Sequence, residues 1–421
     1  MRNKSTKVLA ISALLAGLVF ALLPGASFAA SSKVKTVPQA TVSDSTFNTS
    51  FSTMKYLKNI VSEGTGKIAA ILPDEVTSTR YVEFDAPYLK EAFAKAGLKP
   101  SQYIIQNALG SDSTQLTDAQ SDITKGATVL LVDPLDPTTG ASIESYAKAR
   151  GVPVVDYDRL TLGGKRSYYV SFNNVTVGAD LGNGLLSCLA SWKIAKPDVA
   201  IMYGASTDNN ATLFAQGYNQ VLAAAGYTVT PGAKHQTGAK ESVSIEPGTW
   251  TPATAETEFQ QAFSATPGIN ALLSPNDENA APIISYLQSQ GVKANSFPVT
   301  GQDATLTGFL NIISGFQCGT VYKPVWLEAQ AAAALGIYLR AGVKPPKGLV
   351  NATSTDVDAK TAALKSVPSV LLVPTWVTPS LITATVIKDG VISKSQLCTA
   401  KAPVGVSGAP TYAADCTKYG I

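Results

Sequence analysis

The 421-residue chain reads as an α/β protein of parallel sheets with helices on both faces, divided into two lobes. Three observations predict this. Apolar runs of strand length recur between residues 67 and 374, continuous rather than alternating, which suits strands covered on both faces. Longer stretches of helical spacing lie between them, and strand–helix alternation over this length means parallel sheets. The length is that of two ordinary domains. A chain that is 45% apolar and 15% charged can bury large cores.

Taken in order, residues 1–29 (MRNKSTKVLAISALLAGLVFALLPGASFA) place Arg2, Lys4 and Lys7 before an apolar run from Val8 to Leu23 and end on Ser27, Phe28 and Ala29. That is the pattern of an export signal peptide cut near Ala29. No cysteine follows the run, so no bacterial lipid anchor is expected. No later stretch approaches the ~18 apolar residues of a membrane span. The expected location is secreted, in the periplasm or at the exterior of the cell envelope. The leader holds three of the 33 basic residues and no acid, so the remainder balances 30 acids with as many bases. The basic excess of a nucleic-acid binder is therefore missing.

Residues 30–50 are rich in Ser and Thr and read as flexible. Phe51, Met54, Leu57, Ile60 and Val61 recur at helical spacing, so residues 30–65 form a flexible leader with a short helix. The strand runs are Lys67–Pro73, Ala127–Pro134, Val152–Asp158, Ser167–Phe172, Asp198–Gly204, Ile269–Ser274, Phe297–Asp303, Gly319–Pro324 and Ser369–Pro374. Helical stretches include Tyr81–Ala96, Val177–Trp192, Asn209–Ala225 and Trp326–Ala341.

The ends of these runs are polar. Asp74, Asp133, Asp156, Asp158 and Arg159 end the early ones. Asn173, Asn174, Asp208, Asn209, Asn210, Asn276, Asp277, Asp303 and Lys323 end the later ones. Ligands of open α/β sheets bind outside the carboxyl ends of the strands. Asp and Asn there also serve as helix caps and turn formers. Arg159 and Lys323 are not cap residues, so capping alone does not account for the set.

An exported chain meets an oxidising environment. Cys188, Cys318, Cys398 and Cys416 allow three pairings. The near pair Cys398–Cys416 comes first, which leaves Cys188–Cys318, with free buried thiols as the alternative for that second pair. No CxxC is present, and a zinc site needs closer ligands.

Enzyme chemistry finds little support. The single histidine, His235, lies in a polar Gly/Lys-rich stretch and reads as a surface loop residue, so a Ser–His–Asp triad has no spatially assigned base. GxSxG, HExxH and P-loop patterns are absent, and Asp74 stands where a dinucleotide fold needs glycine. No cofactor or metal is expected. Two carboxylates suffice for glycoside hydrolysis, but nothing singles out a pair.

Binding a small polyol fits better. Sugar hydroxyls both donate and accept, and the ring has an apolar face. Carboxylates accept, Arg and Lys donate, Asn does both, and charged partners strengthen the hydrogen bonds. Arg80, Asp158, Arg159, Asp208, Asn210, Asn276, Asp303 and Lys323 supply these groups. Tyr81 and Trp250 are candidate aromatic plates, Trp250 in a loop (EPGTWTPAT) between two helical stretches.

These residues sit in ILPDEVTSTRY, VDYDR, SFNN, GASTDNNATLF, SPNDENA, GQDATL, VYKP and TVIKDG. In that order and spacing, over about residues 66–398, the chain resembles the sugar-binding proteins of ABC importers, specifically the D-xylose-binding type. The resemblance implies the type I periplasmic-binding fold: two doubly wound parallel-sheet lobes joined by a three-strand hinge. Lobe 1 would comprise 66–172 and 324–368, and lobe 2 would comprise 173–323 and 375–397. Residues 398–421 would form a disulfide-linked tail. It also implies a site of Arg80, Tyr81, Asp158, Arg159, Asp208, Asn210, Trp250, Asn276, Asp303 and Lys323. A monosaccharide, D-xylose first, would bind between the lobes of a monomer and pass to a membrane permease. A receptor feeding a membrane sensor would use the same site. A secreted glycosidase is the enzyme alternative.

Overall fold

A computed structural model describes residues 42–229, 240–401 and 411–421. His235, the export signal and the leader up to residue 41 lie outside the described residues.

Twelve strands are present in the described chain. They are β1 (Lys67–Leu72), β2 (Tyr103–Asn107), β3 (Ala127–Val132), β4 (Val154–Tyr157), β5 (Tyr168–Phe172) and β6 (Asp198–Met202). β7 (Glu241–Ile245), β8 (Ala271–Leu273), β9 (Thr320–Tyr322), β10 (Ala352–Thr355), β11 (Ser366–Leu372) and β12 (Thr375–Val377) follow. One sheet has the order β10-β11-β5-β4-β3-β1-β2. It is parallel except for the antiparallel edge strand β10. A second has the parallel order β7-β6-β8. It continues through single bridges at Leu272–Val299 and Gln302–Val321 to β9, which pairs antiparallel with β12. Each sheet, with its helices, is one lobe.

The chain crosses between the lobes after β5, after β9 and between β11 and β12. The first sheet keeps the chain through Leu372, and β12 takes it up at Thr375.

The central strands are buried on both faces, in keeping with their continuous apolar runs. Four strands escaped the sequence reading: β2, β7 and β10, which are sheet edges, and the three-residue β12. Tyr103–Asn107 is half-exposed throughout and Glu241–Ile245 nearly so, leaving no continuous apolar run. The expected run Phe297–Asp303 forms only the two bridges. Pro298 has no N–H to donate, and Asp303 and Ala304 turn out of extended backbone at φ 86° and 56°.

The helix Val325–Ala341 is rich in alanine and buried almost all round. One side meets the first sheet. The other is covered by the helix Ala86–Ala96 and the turns Ser52–Leu57 and Lys58–Glu63. A helix apolar on every face requires such cover. The supposedly flexible leader is therefore an ordered strap from Val42 onward. Val42 and Phe47 are 2% and 6% exposed, and Phe51, Met54, Leu57 and Ile60 enter the same core.

The tail is packed as well. Leu397, Cys398, Tyr412, Cys416 and Ile421 share an apolar cluster with Phe309, Ile312, Val377 and Val386. Disulfides join Cys188 to Cys318 and Cys398 to Cys416. Among the described residues, no helix is long and apolar enough to cross a membrane.

Candidate ligand-binding site

Loops at the carboxyl ends of the strands converge on one small cavity between the lobes. All ten residues expected from the sequence line it. Arg80 and Tyr81 follow β1, Asp158 and Arg159 follow β4, and Asp208 and Asn210 follow β6. Trp250 follows β7, Asn276 follows β8, Asp303 ends the bridged segment, and Lys323 follows β9. Trp250 thus stands between strand β7 and the helix Pro252–Ala265, not between two helices. Thr77, Ser78, Phe214 and Gln302 complete the wall.

Local backbone aims these groups. Arg80 opens a wide π-type turn, Tyr81–Asp85, of the kind that often marks functional sites. Asp158 has φ 59°, a conformation disfavoured for non-glycine residues, as is that of Asp303. Asp208 and Asn276 are helix caps that also face the cavity. Asp208 Oδ1 accepts the Asn210 N–H at 2.8 Å, and Asn276 Oδ1 accepts the Asn279 N–H at 3.0 Å.

Asp158 is the electrostatic centre. Its Oδ1 accepts from Arg80 Nη1 at 3.1 Å and its Oδ2 from the Tyr81 hydroxyl at 3.0 Å. Burial works against the carboxylate, but Arg80, Lys323 and Arg159 outweigh it and hold the group at about 2. Lys323 Nζ lies 3.0 Å from Asp303 Oδ1. Burial disfavours that ammonium, yet the carboxylates, Asp303 first, hold it charged above its usual range. Burial pushes the Tyr81 phenol well up, so it serves as a neutral donor.

Arg80 lines the cavity and also holds its protein neighbours. Nε and Nη2 hold Asp85 at 2.9 and 2.8 Å, and Nη2 also meets Glu328 at 2.6 Å. Its geometry is that of a post holding Asp158 in place. Trp250 donates Nε1–H to Asp208 Oδ2 at 3.1 Å and packs edge-on against Phe214. A Cβ on Gly204 would come within 2.4 Å of the Trp250 ring, so glycine there makes room for the indole.

The lobes touch across the cavity. Arg159 Nε lies 3.3 Å from Asp208 Oδ2. Asn210 Nδ2 donates to the Asp158 carbonyl at 3.0 Å, and the Tyr169 hydroxyl donates to Asn210 Oδ1 at 3.2 Å.

Other strand-end polar residues serve locally. Asp74 accepts the Val76 and Thr77 N–H groups. Asp156 faces Arg166 and Thr161. Asp277 is held by Thr305, Gln317 and Thr320. Sequence reasoning passed over Phe214 and Gln302, although both lie in segments already marked, DNNATLF and GQDATL. It also passed over Glu328, whose signal was one acid in an alanine-rich buried helix. Burial pushes the Glu328 carboxyl up to about 8, with Arg80 only partly offsetting. Among the described residues, no group of His, Cys, Asp and Glu is arranged to hold a metal ion.

Comparison with known proteins agrees with this architecture. Residues 68–343 match the periplasmic binding protein domain. The chain is 31% identical over 307 residues to the D-xylose-binding periplasmic protein of Escherichia coli (strain K12), covering 72% of this chain and 85% of that one. It is 30% identical over 332 residues to the multiple sugar-binding periplasmic protein SbpA of Azospirillum brasilense, covering 76% and 88%. The crystal structure of a carbohydrate transporter solute-binding protein from Chloroflexus aurantiacus, in complex with D-glucose, superposes with a TM-score of 0.65 at 26% identity, covering 78% and 97%. Two parallel-sheet lobes, three crossings and these matches together place the chain in the periplasmic binding protein family, with the type I fold.

Proposed function

We propose that this chain is the exported solute-binding component of a carbohydrate ABC importer. It takes a monosaccharide, D-xylose first, between its lobes and delivers it to a membrane permease. The observation that carries this reading is the convergence of carboxylates, cations, carboxamides and two aromatic rings from both lobes on one cavity. Arg80, Tyr81, Asp158 and Arg159 come from lobe 1. Asp208, Asn210, Trp250, Asn276 and Asp303 come from lobe 2, and Lys323 sits at a crossing. A ligand that touches both sets binds the closed form more tightly, which is what shifts the population toward closure.

The choice of D-xylose is supported by the names of two relatives at 31% and 30% identity. D-glucose, held by the similar structure, is the first competitor. The protein works as a monomer, after removal of its leader near Ala29, and is a carrier with no catalytic residue.

A thermal-shift screen with D-xylose, D-glucose, D-ribose and L-arabinose tests the reading, because a ligand that binds only the folded state raises the melting temperature. D-xylose is expected to give the largest rise. No rise with any pentose or hexose overturns the assignment. Asp303→Ala leaves cavity donors unpaired and is expected to cost about 1–3 kcal/mol of binding. Undiminished affinity by calorimetry would remove Asp303 from the site.

A further inference from the structure

We propose that Thr79 and Glu278 form a clasp that holds the two lobes shut and sets how fast a bound sugar leaves. This rests on the solute-binding reading above and extends it to residues outside the cavity wall.

The Thr79 backbone N–H donates to Glu278 Oε1 at 3.0 Å, and the Thr79 hydroxyl donates to the same oxygen at 3.2 Å. Thr79 stands between Ser78 and Arg80 on the loop after β1, and both neighbours line the cavity. Glu278 is in the first turn of the helix Asp277–Ser289, two residues beyond Asn276, which also lines it. Thr79 and Glu278 do not line it themselves. The two bonds therefore join the lobes beside the site without touching its contents, and both break when the lobes part. Ser78 Oγ and Asp303 Oδ2, 3.5 Å apart, make a weaker crossing next to them.

The clasp is built to open. Glu278 Oε2 is buried with no hydrogen-bond partner. The charged groups acting on this carboxyl are Asp303 and Asp277, both acidic. The donors that hold it, from Thr79 of the opposite lobe and its own backbone N–H, are neutral. An Arg or Lys partner there would bind more strongly and resist release. Opening returns the unpaired oxygen to water, which offsets the two hydrogen bonds lost.

The test uses the full chain. Release of D-xylose and D-glucose is followed by stopped-flow tryptophan fluorescence. Lobe separation without sugar is measured between spin labels at exposed Lys95 and Ser289. Glu278→Ala is expected to release sugar about tenfold faster, from the loss of two hydrogen bonds, and to widen the sugar-free lobe separation. Glu278→Gln keeps an acceptor oxygen and is expected to release sugar no faster than the parent. Thr79→Ala keeps the backbone donor and should fall between, and it carries the test if Glu278→Ala folds poorly. Unchanged release and separation in Glu278→Ala overturns the clasp, as does Glu278→Gln behaving like Glu278→Ala. If the parent binds neither sugar, the choice of ligand fails, and the lobe separation alone decides the clasp.

Discussion

Arg159 and Asp208 meet across the cleft, with guanidinium Nε 3.3 Å from carboxylate Oδ2. One follows β4 in the first lobe, and the other caps the helix Asn209–Ala224 in the second. Asp208 thus serves three partners: its own helix, the Trp250 indole and the opposite lobe. Asp208→Asn separates these duties. Asn caps a helix as well as Asp, so the melting temperature should hold. The charge offered to Arg159 is lost, and sugar affinity should fall about 10- to 100-fold. Calorimetry beside a thermal melt checks both. Unchanged affinity would make the residue a cap only.

Gly204→Ala should weaken sugar binding without touching any polar group. The added Cβ meets the Trp250 ring at 2.4 Å and must push it. Displacing the plate forfeits packing of the order of 1 kcal/mol, about fivefold in affinity. Tryptophan emission and calorimetry report it, and an unchanged Trp250 environment would contradict it.

Asp158→Asn should destabilise the fold by about 3–5 kcal/mol, because it leaves buried cations short of their counter-charge. Urea unfolding measures this. The Asp158 carboxyl is held down at about 2. Its contribution is therefore complete above the ordinary carboxyl value near 4 and is lost as pH falls through about 2. The stability difference between parent and variant should shrink only in that acid window.

Sugar affinity should fall as pH rises. Burial, then Asp303 and Asp277, push the Glu278 carboxyl up to about 8 with the lobes together. With the lobes apart, water returns it toward its ordinary value near 4.3. Closure takes up a proton, so its advantage is full below the ordinary value and is lost as pH rises through about 8. Calorimetry at about pH 5, 6.5 and 8 should show the decline, and Glu278→Gln should flatten it. An affinity that climbs with pH in the parent would refute the sign.

The two disulfides should differ in worth. Cys188–Cys318 closes 130 residues and Cys398–Cys416 closes 18. Chain-entropy arguments assign about 4–5 kcal/mol to the first and about 3 kcal/mol to the second. Paired Cys→Ser variants under denaturant should rank in that order, and equal losses would mean the constraint on the unfolded chain is not what matters.

Legibility of the fold followed burial. Strands covered on both faces, such as Lys67–Leu72 and Ala127–Val132, carry continuous apolar runs and were readable. The edges Tyr103–Asn107 and Glu241–Ile245 were not, because one side of each faces outward and mixes polar with apolar residues. The leader looked flexible because Ser and Thr dominate it. Val42 and Phe47 are too few to signal packing without the alanine-rich helix Val325–Ala341 whose core they share.

The sequence alone determined the class of fold, the formally neutral balance of residues 30–421 and the ten polar and aromatic groups at strand ends, because these follow from local pattern and composition. Only the tertiary structure decided how those groups divide their work. Arg80 gained a second duty as a post for Asp158, since Asp85 five residues on and Glu328 on a distant helix fix its guanidinium. Glu278 turned from an unremarked residue in SPNDENA into the partner of Thr79, 199 positions earlier. Hydrogen bonds act over a few ångströms of space, and no spacing along the chain records which distant loops closure brings together.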